Sequence, residues 1–145
     1  MSRRQARVIA FKTIYRFDFT GEALERLLDF SWLGEKKFQQ LQEDPRGEGV
    51  LNFARWIITG TLEHLEEIDK KISEFLQHWD ISRVARVDLA ILRISVFGLL
   101  YMTDIPASVT IDEAVEMARE FASPDSYRFV NGVLDGVRKS LMQKG

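Results

Sequence analysis

Two sets of side chains in this sequence have the types and spacing to engage another molecule, and both fall on helical faces. On a wheel of about 100° per residue, Arg4, Arg7, Val8, Phe11 and Tyr15 share one side of the first periodic segment. Guanidinium groups alternate there with rings. Arginine donates to phosphate oxygens, and a ring offers a stacking platform to an unpaired base. The same apolar atoms suit burial against a second helix or a protein partner equally well, and the residues alone leave both open. Near the C-terminus, Asp125, Phe129, Gly132 and Gly136 align about 100° from the stripe Val130, Val133, Leu134 and Val137. A glycine inside a helix costs roughly 1 kcal/mol relative to alanine, so two on one face require a reason. Either another backbone approaches closely, or the face is kept smooth for a ligand.

Catalytic and metal chemistry find little support. The two histidines, His64 and His78, form no H-E-x-x-H or Glu-x-x-His pattern. Glu63, Glu66, Glu67 and Asp69 run directly into Lys70 and Lys71, as a solvated helix face does. No phosphate-cradling glycine loop and no nucleophile elbow is present. The absence of cysteine excludes disulfides, thiolate ligands and a thiol nucleophile. No enzyme activity, cofactor or metal is expected.

The elements that must position these residues are helical. With 145 residues, 46% of them hydrophobic, the chain is long enough for one real core, and 9 Gly with 3 Pro are too few for a fold of many tight turns. Ala6, Ile9, Ala10, Thr13, Ile14 and Phe17 mark the inward face of a first helix. A second starts near Thr20 or Gly21, with Ala23, Leu24, Leu27 and Leu28 inward. Residues 34–49 read as a loop with room for one short helix. A long helix is predicted over Val50–Leu76, with breakpoints at Gly60 or Asp69. The segment Val84–Met102 is apolar nearly all round and predicts a central helix. Asp104-Ile105-Pro106 stops it, and Thr110 with Glu113 has the spacing of a capping box for the next helix, which runs to Ala122. Ser123-Pro124-Asp125-Ser126 starts the last one, with Pro124 in its first turn and Asp125 at the positive end of its dipole. The expectation is an all-α, single compact bundle of about six or seven helices.

Charge is unevenly distributed. The net −2 combines five basic side chains and no acid within residues 1–17 with a remainder carrying −7, so a basic arm on an acidic body could meet a polyanion locally. The apolar run Ile94–Met102 is about half of the roughly 20 residues that cross a membrane, and nothing resembles a signal peptide. No membrane association is expected, and a cytoplasmic location is.

The segments VDLAILRISVFGLL (87–100), DIPASVTIDEAVEMAREF (104–121) and SYRFVNGVLDGV (126–137), with SRRQARVIAFKTIY (2–15), resemble the NusB family. They cover about half the chain. The resemblance implies two packed helical subdomains, about 1–78 and 79–145, and a non-enzymatic transcription antitermination factor. It implies partners as well: boxA-type single-stranded RNA, the small-subunit ribosomal protein NusE, and an antitermination complex on RNA polymerase, notably for ribosomal RNA operons. Members occur as monomers and as homodimers. Carried over by position, it implies RNA contacts by Arg3, Arg4, Arg7, Arg93, Asp125 and Phe129, and partner contacts by Tyr15 and Asp88. Asp112 stands where the family usually has Asn, and Gly98 where Glu is common. A NusB-like domain also fronts certain ribosomal RNA cytosine methyltransferases, but those need a catalytic cysteine that this chain lacks. A pure protein adaptor would not need the arginine cluster.

Overall fold

The apolar stripe of the first segment folds into α1 (Ser2–Thr20), in a computed structural model that describes residues 2–30, 33–77 and 80–143. His78 lies outside the described residues. Ala6, Ile9, Ala10, Thr13 and Ile14 are buried along α1. The helix stops at Gly21, whose φ of +62° suits glycine and whose amide donates to the carbonyl of Phe17 at 2.8 Å. Then follow α2 (Leu24–Leu27), α3 (Glu35–Glu43), α4 (Gly47–Glu63), α5 (Leu65–Ser73), a short 3-10 turn (Ile81–Arg83), α6 (Arg86–Tyr101), α7 (Ala107–Phe121) and α8 (Ser126–Gln143). Among the described residues there are eight α-helices and no strand.

The central helix predicted from its all-round apolar character is α6. Every residue from Asp88 to Leu99 is buried. It packs against α1, α4, α5, α7 and α8, so one element organises the positions of these five. It meets α4 where Gly60 faces Phe97. A Cβ at Gly60 would stand 2.1 Å from Cζ of Phe97, so the helices can meet there only over bare backbone. Gly60→Ala should therefore lower the melting temperature. Overpacking costs about 1–3 kcal/mol and exceeds the gain of about 1 kcal/mol in helix propensity. An unchanged or raised melting temperature would contradict this.

Three sequence expectations are corrected. The long helix over Val50–Leu76 breaks at neither Gly60 nor Asp69 but at His64, which leaves helical geometry at φ −113° and ψ +22°. Gly60 stays helical because its bareness serves the contact with Phe97. With that break and the single turn of α2, the count rises from six or seven to eight. Thr110 is not a cap: α7 starts three residues earlier, with Pro106 in the cap position and its carbonyl accepting from the amides of Val109 and Thr110 at 3.0 and 3.3 Å. Proline, lacking an amide hydrogen and fixed in φ, suits a helix start. Thr110 is buried instead, its Cγ2 lying 3.2 Å from where a Cβ on Gly98 would stand. Finally, α8 begins only at Ser126, after a turn in which that amide donates to the carbonyl of Ser123 at 3.0 Å. Among the described residues, no helix is long and apolar enough to cross a membrane.

Candidate nucleic-acid interface

The arginine cluster at the start of α1 is divided by its surroundings. Arg3 is exposed, its guanidinium 5.4 Å from the ring centre of Phe53 on α4. Arg4 reaches α7, with Nη2 2.9 Å from Glu120 and Nη1 3.5 Å from Glu113. Arg7 is only 8% exposed and lies 5.7 Å from the same Phe53 ring. Burial pushes its guanidinium below the usual value, with Glu113 opposing and the like charges of Arg3 and Arg4 adding to the fall. Neither Arg3 nor Arg7 has a carboxylate partner among the described ion pairs, and of these two only Arg3 is exposed.

Farther along α1 the interleaved face is largely packed. Phe11 is 4% exposed, its ring 5.3 Å from Phe121 of α7. Packing therefore accounts for Phe11. Tyr15 is half-buried and meets Phe19 edge-on at 4.8 Å.

Beside this end of α1 lies a charged cluster built from three helices. Arg93 of α6 donates from Nε and Nη2 to both carboxylate oxygens of Asp69 on α5, each at 2.9 Å, and from Nη1 to Asp18 of α1 at 3.3 Å. Asp18 also receives Arg86 at 3.3 Å. Burial alone would push the Arg93 guanidinium down. The hydrogen bonds and charges of Asp69, then those of Asp18, outweigh it and hold the group above its usual value. Arg93 ties α1, α5 and α6 together.

The start of α6 meets the start of α8. Asp88, 7% exposed, lies beside the Ser126 hydroxyl, and its Oδ1 is buried without a hydrogen-bond partner. Burial raises the Asp88 carboxyl above the ordinary range, and the polar Ser126 side chain beside it offsets this only in part. The folded chain then holds this proton more tightly than the unfolded chain, so the contribution of Asp88 to stability falls as pH rises from the ordinary Asp value through the raised one. Relative to the parent, Asp88→Asn should gain in melting temperature between about pH 4 and pH 7. A difference independent of pH would contradict this.

Asp125, in the turn just before α8, and Arg128 on α8 are exposed, and Phe129 is half-buried against the core. A groove of about 520 Å³ opens beside them. The arginines 3–7 and the Tyr15–Asp18–Arg93 region stand roughly 15–20 Å apart along α1, from the helical rise of 1.5 Å per residue. Asp88 and the Asp125–Phe129 edge share a neighbourhood through Ser126.

This all-helical architecture has known counterparts. The NusB family model matches residues 4–139. The chain belongs to the NusB family. A transcription antitermination protein NusB from Treponema pallidum (strain Nichols) is 46% identical over 140 residues, which is 97% of this chain and 94% of that protein. A structure of T. maritima NusB has a TM-score of 0.80 at 36% identity, covering 94% of this chain and 90% of that one. A structure of the antitermination factors NusB and NusE in complex with double-stranded RNA matches at a TM-score of 0.80 and 25% identity, covering 96% and 97%.

Within this NusB-family chain, the departure at Gly98 has a structural reason. Gly98 lies where α6 crosses Thr110 of α7, a place with little room for a side chain. Asp112 is exposed on α7, and nothing in the structure explains it. The sequence reading missed a strip of cations over rings: Lys12 5.3 Å from Phe121, and Arg119 and Arg128 4.5 and 5.4 Å from Tyr127. The signal was present in Tyr127-Arg128-Phe129, where a basic residue sits between two rings.

Proposed function

We propose that this chain is a transcription antitermination factor that binds boxA-type single-stranded RNA together with NusE. In this role it helps assemble an antitermination complex on RNA polymerase in the cytoplasm, notably for ribosomal RNA operons, without catalysing a reaction. The observation that carries the reading is the start of α8, where half-buried Phe129 and exposed Arg128 line an open groove and exposed Asp125 stands in the turn just before the helix. A ring supplies stacking to a base, and a carboxylate accepts from a base amino or imino group. Arg3, Arg4 and Arg7 contribute the cations that hold the backbone, Arg3 most directly. Arg93 belongs to the same surface chiefly by fixing Asp18 and Asp69. Tyr15 and Asp88 contribute to the contact with NusE, and the chain comprises two helical subdomains of about 1–78 and 79–145.

The test is a binding titration on a boxA-containing single-stranded RNA and a scrambled control, with and without NusE. Selective binding that tightens with NusE is the expected result; equal, weak, salt-sensitive binding to both RNAs would reduce the basic arm to an electrostatic tether. Phe129→Ala should lose about 1–3 kcal/mol of RNA affinity with its helical spectrum intact. Unchanged affinity would refute the stacking role.

A further inference from the structure

Gly132 and Gly136 share a face of α8 but have opposite surroundings. A Cβ on Gly136 would lie 2.6 Å from Cδ1 of Phe75, so glycine there is explained by close packing. One turn earlier, a Cβ on Gly132 would meet nothing within 4 Å among the described residues. Packing gives no reason for that second glycine, although it weakens the helix. The space it leaves belongs to the groove of about 520 Å³, whose lining includes Phe75, Leu76, Gln77, Arg128, Phe129 and Gly132.

We propose that Gly132 keeps this groove open to receive one unpaired nucleobase of bound RNA, with Phe129 and Phe75 as apolar walls and Arg128 as the cation for the adjoining phosphate. The inference rests on the RNA-binding reading above and names the subsite. Its charge fits an anionic chain. Arg128 has no carboxylate partner among the described ion pairs; its Nε donates to the Tyr127 hydroxyl at 3.1 Å, a neutral contact. Glu74, the acid on the groove, is compensated by Lys71 at 3.2 Å. Two aromatic walls accept any base, because every base has a π face. The Gln77 amide offers a donor and an acceptor to a base edge.

The experiment compares the parent protein with Gly132→Ala, Gly132→Leu and Arg128→Gln, using the labelled boxA RNA with NusE present, NusE alone, and thermal melts. The leucine variant should bind the RNA at least about fivefold more weakly, the cost of losing one stacked base, while its affinity for NusE is unchanged. The alanine variant should melt no lower than the parent and weaken RNA binding in the same direction; it decides the matter if the leucine variant misfolds. Arg128→Gln should reduce the slope of log affinity against log salt by about 0.7. Full RNA affinity in both glycine variants of a protein that still selects boxA overturns the groove and leaves the function standing. Loss of NusE affinity with RNA affinity kept makes the occupant a protein and also overturns it. A parent that does not select boxA overturns both readings.

Discussion

Arg93→Ala should lower the stability of the fold by about 2–4 kcal/mol, a fall of roughly 4–16 °C in melting temperature for a chain of this size. The arginine side chain is 10% exposed, and its removal strands two carboxylates that face each other across α1 and α5. Asp18 and Asp69 retain 20% and 26% of their side-chain surface, so water can reach them and soften the loss. That places the effect below the upper end for a fully buried pair. Lysine should not rescue it, because a point charge cannot engage both oxygens of Asp69 while also reaching Asp18. Thermal melts of Arg93→Ala and Arg93→Lys check this; a change below about 1 kcal/mol would mark the cluster as an ordinary surface pair. RNA titration well below the melting range separates the two roles of Arg93. Retained affinity assigns it to holding the fold, and lost affinity assigns it to the RNA.

The second large effect concerns the start of α1. Replacing Arg3 and Arg4 together by alanine should weaken RNA binding on the order of tenfold per lost charged hydrogen bond. The salt slope should fall by about 1.4, from roughly 0.7 per single-strand phosphate contact. Stability should change little, because the carboxylates facing Arg4 are 27% and 56% exposed, and such pairs contribute about 0–1 kcal/mol. Arg7 is left out deliberately: it is buried beside Phe53, and its removal would mix lost packing with lost charge. Fluorescence anisotropy across a salt series reads both quantities. An unchanged slope would mean that neither arginine touches phosphate.

The sequence made some of this legible and hid the rest for identifiable reasons. The all-round apolar character of residues 89–100 announced a helix that must be surrounded, and α6 is that helix. Hydrophobic spacing likewise found the inward faces of α1 and α8. It could not find the break at His64, since the apolar pattern runs through that position and the backbone alone changes direction. Thr110 and Glu113 had the spacing of a cap, but spacing does not say which candidate start wins, and Pro106 took the place. Arg93 looked available as a polar residue on a central helix. Its partners stand 24 and 75 residues away, so only the fold reveals that it is engaged. The two glycines of α8 show the same limit, because one pattern on one face conceals a closed contact and an open groove.

The seat of Phe75 on bare Gly136 has a mechanical consequence. A ring pressed into a backbone notch acts as a pawl: α8 cannot slip along its axis past the end of α5 without lifting Phe75 out. The edge carrying Asp125 and Phe129 is thereby held in one register before any ligand arrives, so little ordering entropy remains to be lost on association.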